Sequence, residues 1–409
     1  MTGGFFSTAA WLDRGRVRGY LLLLALLNAL TLGFLLATST NGVDRNGYLL
    51  GTDFLSFWTA GRMLAAGQDV YDQAAHIAAQ RAYFVQQGEA FTAFFYPPSF
   101  LPLCRLLGIG PYFVSLAIWL LATGAFYAWS VSCWLRASLR EHPSMWILLA
   151  AFPPVLITIT HGQTAFLVAG LMGAATYFVP RRPVLAGVLF GLATIKPQFG
   201  PLVPLVLLLT GQWRVIAAAA ASSLALALLA TLAFGLQPWA DWLALSAAAQ
   251  AAMSQGSVGF SKMVSLFAGA RLLGAPTWLA YALQTVLSAA VVMSIAAAAV
   301  SRGWSDALGA ALLVGALLVT PFMLDYDLVL LAFPLIWLAG QDHRRWERLT
   351  ILLAFAAPAF ARPLALSIGV PILPPILLAL FVVLLRRARQ PRDDDNQHDG
   401  IPLSNSRTG

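Results

Sequence analysis

The chain is 409 residues long, 59% hydrophobic and only 10% charged, with a mean hydropathy of +0.75. Soluble domains carry roughly 25% charged residues, so this composition excludes an ordinary soluble enzyme or scaffold. The net charge of +8 would suggest nucleic acid or anionic lipid if the basic residues were clustered, and their placement along the chain argues against the first.

Apolar runs reach the roughly 20 residues needed to cross a bilayer again and again. They are expected near 19–37, 111–135, 144–160, 164–179, 184–195, 199–209, 215–234, 276–300, 305–320, 327–339, 349–366 and 372–385. The fold class is therefore an all-α polytopic membrane protein with about 12 transmembrane helices. The fifth and sixth runs are short and separated by Lys196-Pro197-Gln198, so they could also form one broken helix. The first run follows Arg14, Arg16 and Arg18 and is longer than the apolar region of a cleaved signal, which points to a retained signal-anchor helix.

With the N-terminus inside, 17 of the 25 basic residues fall on one set of loops and tails and 8 on the other. This is the positive-inside asymmetry. The charge is topogenic and implies no nucleic-acid partner. Both termini are then cytoplasmic, in the inner membrane of the cell. The chain reads as one membrane domain over 1–392 and a polar, acidic tail over 393–409, expected to be disordered.

The longest outer loop spans 38–110. Within it, 57–66 and 73–87 have the pattern of amphipathic helices lying at the interface. The segment 94–102 is aromatic and proline-broken and suits a re-entrant element, tolerated only where protein buries it or a cavity adjoins it. A second long outer loop covers 235–275. Two cysteines, Cys104 and Cys133, are too few for a disulfide framework and read as small core residues.

Five polar motifs that are distant in sequence share the outer side under this topology. They are Asp53, His161-Gly162-Gln163, Lys196-Pro197-Gln198, Lys262 and Asp325-Tyr326-Asp327, and both lysines of the chain are among them. A carboxylate such as Asp53 can accept a proton from a hydroxyl, and it can equally cap the helix that follows. Asp69 and Asp72 have the pattern of turn and cap residues. Lys196 ends a short apolar run, where an ammonium needs a partner. It reads as a clamp on a lipid-linked phosphate or as a lysine snorkelling to the interface. His161 could donate to a phosphate or hydroxyl, or could be structural. Asp325 and Asp327 could bind a polyol or metal, or cap the next span. Arg62 and Lys262 could pair with a phosphate or be simple surface charges. There is no P-loop, dinucleotide fingerprint or zinc spacing.

The pattern resembles glycosyltransferase family 87 of the GT-C superfamily. The likeness rests on Asp53-Phe54, Phe57-Trp58, Ala60-Gly61-Arg62, Gly67, Val70-Tyr71-Asp72, Tyr96-Pro97-Pro98, Gly162-Gln163, Lys196-Pro197-Gln198 and Asp325-Tyr326-Asp327. The resemblance implies a GT-C-like fold and transfer of a hexose, mannose above all, from a polyprenyl-phosphate sugar donor to a lipid or glycan acceptor. It implies Asp53 as base and Lys196, Arg62, His161 and Lys262 as ligands of the donor phosphate. Gln163, Gln198, Asp325, Tyr326 and Asp327 would bind sugar or acceptor, with no metal or other cofactor required. The rival is a lipid or sugar-lipid transporter, which would hold its charged groups near the midplane, open to both sides.

Overall fold

The computed structural model describes residues 3–45, 47–84, 92–135 and 144–390. The expected inner loop at 136–140 and the acidic tail lie outside these residues. The described chain is helical, and its extended pairs are isolated bridges only.

The chain opens with α1 (Gly3–Thr8) and α2 (Arg14–Thr38), whose start is capped by Asp13 accepting from the Arg16 amide. The 38–110 segment holds α3 (Thr52–Ala65), α4 (Gln73–Tyr83) and α5 (Leu101–Leu107). Then come α6 (Tyr112–Trp134), α7 (Ser144–Ala151), α8 (Pro153–His161), α9 (Ala165–Phe178), α10 (Pro183–Leu192), α11 (Leu202–Leu209) and α12 (Trp213–Phe234). The remainder is α13 (Gln237–Gln255), α14 (Leu266–Leu272), α15 (Thr277–Arg302), α16 (Asp306–Val319), α17 (Ala332–Ala339), α18 (Glu347–Ile368) and α19 (Leu373–Ala388).

Among the described residues, five helices (α2, α6, α12, α15 and α18) are long and apolar enough to cross a membrane singly. The other expected spans are shorter or divided. The run at 144–160 is split into α7 and α8 at Phe152, where Pro153 and Pro154 open the second helix. The run at 327–339 begins as a 3₁₀ turn, Asp325–Leu331, before α17. At Lys196 the chain reverses rather than continuing as one broken helix. Gly187 packs against Val215 and Ala218, and Gly191 against Ala219 and Ser222, so α10 and α12 run parallel and α11 must return between them.

Side-chain bonds fix which helix ends lie together. Trp119, Ser130 and Trp134 of α6 donate to the carbonyls of Gly162, Gly170 and Gly173, at 3.0, 2.9 and 2.9 Å, so α6 and α9 are parallel. At one end of the bundle Arg181 forks onto Asp306 (2.8 and 3.1 Å), Arg387 onto Glu347 (2.8 and 2.6 Å), and Arg302 donates to the Arg389 carbonyl (3.1 Å). The opposite end gathers the described parts of the 38–110 segment, the turn at His161, the reversal at Lys196 and the loop around Lys262.

In the described part of 38–110, α3 is sheathed in protein: nine of its residues, Phe54 to Gly61 and Met63, are buried. Gly61 lies directly on the Cys104 carbonyl of α5, with Gly108 closing the contact from the other side. Phe57 meets Tyr96, Phe100 and Trp119 edge-on at ring separations of 5.1–6.3 Å. Phe94 and Phe100 are fully buried, so the proline-broken stretch is sheathed in protein as its backbone requires. Cys104 is buried in the same layer, Asp72 caps α4 through the amides of Ala74 and Ala75, and Asp69 accepts from the Tyr71 amide. A Cβ at Gly61 would collide with backbone rather than with a flexible side chain. Gly61→Ala is therefore expected to cost about 1–3 kcal/mol, read as a lower melting temperature of the purified protein, whereas the same change at the open Gly4 should be silent.

Candidate active site

Asp53 occupies the first turn of α3, where the helix dipole favours an anion. The expected capping role falls elsewhere: the N-cap is Gly51, in the left-handed region at φ 76°, with no side-chain cap. That end of α3 is pinned from two sides. The Gly51 amide donates to the Thr160 carbonyl (3.0 Å), and the Tyr112 hydroxyl reaches the carbonyls of Leu50 and Gly51 (2.9 and 2.7 Å). The carboxylate is thus free of capping and available to other partners.

Its partner is Gln163. Gly162 ends α8 at φ 65°, and a Cβ there would stand 2.7 Å from Phe54 Cβ. Only glycine permits both this backbone and this closeness. The turn delivers Gln163 Nε2 to Asp53 Oδ2 at 2.8 Å. The amide cannot point the other way, because its Oε1 accepts from the Tyr96 hydroxyl (2.7 Å) and the Thr164 amide (2.6 Å). One carboxylate oxygen is therefore immobilised, and among the described residues Oδ1 accepts no hydrogen bond. Asp53 itself is half-buried.

A second polar knot stands beside it. Lys196 sits between two 3₁₀ turns, Ala193–Ile195 and Pro197–Phe199, and its side chain is buried. Its ammonium forms an ion pair with the buried Asp327 and lies 5.0 Å from the Tyr326 ring and 5.3 Å from that of Phe199. Lys196 neither snorkels nor stands free, since its charge is matched inside the protein. The His161 ring lies 6.1 Å from that of Tyr326, and its Nδ1 donates to the Ile157 carbonyl at 2.8 Å. Gln198 is exposed on the turn next to Lys196.

Asp325 and Asp327 face different partners and do not form a shared pair. Asp325 is buried and lies 3.6 Å from Arg362 of α18, a residue that the sequence reading missed. Asp325 lies within electrostatic reach of His161 and Lys262 as well. Lys262 is brought there by the bridge between Met263 and Leu324 and by the Val264 amide on the Met323 carbonyl (2.9 Å). Burial pushes the Lys262 ammonium down from the ordinary lysine range, and the neighbouring Arg362 charge pushes it the same way. Arg62 is not part of this group. It stands nine residues after Asp53 on α3, about 13 Å along the axis, and packs on Trp58 and Tyr83. No group of three or more His, Cys, Asp or Glu side chains converges as a metal site among the described residues.

An apolar groove of about 380 Å³ lies between α5, α6 and α9. Leu103, Leu107, Ile118, Ala122 and Phe126 line it, with Trp119, the residue that also holds the Gly162 carbonyl, in its wall.

The described residues form a helical bundle with candidate membrane spans and a carboxylate, cations and amides gathered at one end, the architecture of a multi-pass membrane protein. The family model for glycosyltransferase family 87 matches residues 94–324, more than half of the chain. The chain belongs to that family and is a membrane glycosyltransferase. The match contains His161, Gln163, Lys196, Gln198 and Lys262, while Asp53, Asp325, Tyr326, Asp327 and Arg362 lie outside it. No curated protein and no solved structure matches the chain significantly.

The buried pair gives a sharp prediction. Lys196→Met leaves the Asp327 carboxylate buried and alone, and should cost about 3–5 kcal/mol. Lys196→Met combined with Asp327→Leu removes both charges and should recover most of that loss. Melting of the two variants beside wild type checks it.

Proposed function

We propose that this glycosyltransferase moves a hexose, mannose in the first instance, from a polyprenyl-phosphate donor to a lipid or glycan hydroxyl at the outer face of the cytoplasmic membrane. The observation that carries this reading is the Asp53 carboxylate, with Oδ2 tied to Gln163 and Oδ1 left open, on the same end of the bundle as Lys262 and the Asp325 turn. Arg181, Arg302 and Arg387 lie at the other end, which the positive-inside rule reads as the cytoplasmic one.

In this reading the acceptor hydroxyl gives its proton to Asp53 Oδ1 as its oxygen attacks the anomeric carbon. The bond from that carbon to the phosphate oxygen breaks, and the polyprenyl phosphate leaves with the electron pair. A single displacement inverts the anomeric centre, so a β-linked donor yields an α-linked product. Gln163 holds the base in register and does not need to touch the sugar. Cations at this end stabilise the leaving phosphate. The apolar groove beside Trp119 suits the prenyl chain, since it lies against the helix that positions Gln163.

Two experiments bear on this. Asp53→Asn preserves shape and the contact with Gln163 but removes the proton acceptor. With radiolabelled polyprenyl-phosphate mannose and a membrane lipid extract as acceptor, its transfer rate should fall by about 10²–10⁴. Transfer equal to wild type would remove Asp53 from the chemistry, and a lipid-translocation assay on an inactive wild type would test the transporter alternative. Secondly, Ala122→Phe narrows the groove. It should raise KM for a long-chain donor several-fold and leave KM for a short-chain donor unchanged; equal KM effects for the two donors would place the chain elsewhere.

A further inference from the structure

Arg362 and Asp325 face one another across a cleft of about 20 Å³, roughly the room of one water while the pair stays closed, whose walls include Phe260, Ser261 and Pro371. Arg362 stands on α18 between Pro358 and Pro363. Its contact with Asp325, at 3.6 Å, is an ion pair without a hydrogen bond: Asp325 Oδ2 is buried and has no donor, while Oδ1 accepts from the Tyr326 amide at 3.0 Å. About a third of the Arg362 side chain (32%) remains exposed.

Lys262, on the turn Phe260–Lys262 next to Ser261 of the cleft wall, lies within electrostatic reach of Arg362 and Asp325 and makes no ion pair among the described residues. Two cations thus repel each other, and of the two carboxylates near them Asp325 meets only Arg362, and imperfectly, while Asp53 pairs with neither. A guanidinium fork matches a phosphate through two parallel hydrogen bonds, and an ammonium adds a point charge. A buried carboxylate oxygen without a donor is costly and is satisfied by a hydroxyl. The three unmet demands are those of a phosphate next to a polyol.

We propose that this cleft binds the glycosyl-phosphate head of the donor, with Arg362 and Lys262 on the phosphate and Asp325 Oδ2 accepting from a sugar hydroxyl. The Arg362–Asp325 pair is a placeholder: the ligand's phosphate takes the guanidinium away from Asp325, and the sugar replaces it there. This deepens the transferase reading and rests on it for the sugar. Lys196, matched by Asp327, stays in its structural pair while Arg362 changes partner.

The test is calorimetric binding to purified protein in detergent, with no acceptor present. The probes are citronellyl phosphate, citronellyl-phosphate mannose and inorganic phosphate. Arg362→Gln should weaken both prenyl ligands at least about tenfold. Arg362→Lys keeps the charge without the fork, should weaken them less, and serves as the reading if the glutamine variant melts abnormally. Asp325→Asn should act in the opposite sense on the plain phosphate. It frees Arg362, so citronellyl phosphate binds as tightly as to wild type or more tightly, while the additional affinity of the mannosylated form disappears. Unchanged binding by both Arg362 variants, or parallel weakening of both prenyl ligands by Asp325→Asn, would overturn the proposal. Displacement by equimolar inorganic phosphate would also overturn it, by assigning a free anion instead of a glycosyl lipid. A protein that binds as expected but transfers nothing would tell against the transferase step. A transferring wild type whose arginine variants bind unchanged would tell against this cleft.

Discussion

The buried pair between Lys196 and Asp327 is the constraint around which this end of the bundle is arranged. Each charge alone would be expensive inside an apolar protein, and each makes the other tolerable. The pair joins the reversal between α10 and α11 to the start of the Asp325–Leu331 turn. Tyr326 lies against the ammonium and Asp325 is left facing Arg362. The same turn is held by burial of all seven of its residues and by the Tyr127 hydroxyl on the Val329 carbonyl (2.8 Å). The charge of Lys196 is thus matched by Asp327 within the protein.

Around this pair, the site depends on backbone economy. Gly51 and Gly162 both take left-handed conformations and approach within side-chain distance of each other, so that the end of α8 and the start of α3 meet. The carboxylate of Asp53 and the amide of Gln163 then face each other directly, with Tyr96 and Thr164 fixing which way the amide points. The proline-broken aromatic stretch supplies Tyr96 and also walls the layer of Phe57, Phe100 and Trp119 beneath it. Packing, turn chemistry and the candidate base are one continuous structure there.

Much of this was legible in the chain. Hydropathy alone marks the membrane class, because transfer of apolar side chains into lipid needs no knowledge of neighbours. The distribution of arginines along the sequence separates two sets of loops, and the structure collects the arginines of Arg181, Arg302 and Arg387 at one end. Other features were not legible. The 3.6-residue pattern of α3 does not reveal that nine of its residues are covered by protein, because amphipathicity cannot say whether a polar stripe meets water or a hydrogen-bonded interior. The hydrophobic runs at 144–160 and 327–339 hide breaks that depend on where prolines and acids find partners. Arg362 carried no motif; it sits in an apolar helix, and only its approach to Asp325 marks it.

The sequence by itself determined that the chain lives in a bilayer, which residues carry charge in that setting, and a family whose members transfer sugars. Burial cost and hydrogen-bonding capacity are properties of residue types, and they can be read one at a time. The tertiary structure alone decided which charges cancel and which remain available. Lys196 and Asp327 are 131 residues apart and neutralise each other, while Asp53 and Gln163, 110 residues apart, leave one oxygen open. Pairing energy depends on distances of a few ångströms between groups remote in sequence, and those are set only when the helices pack.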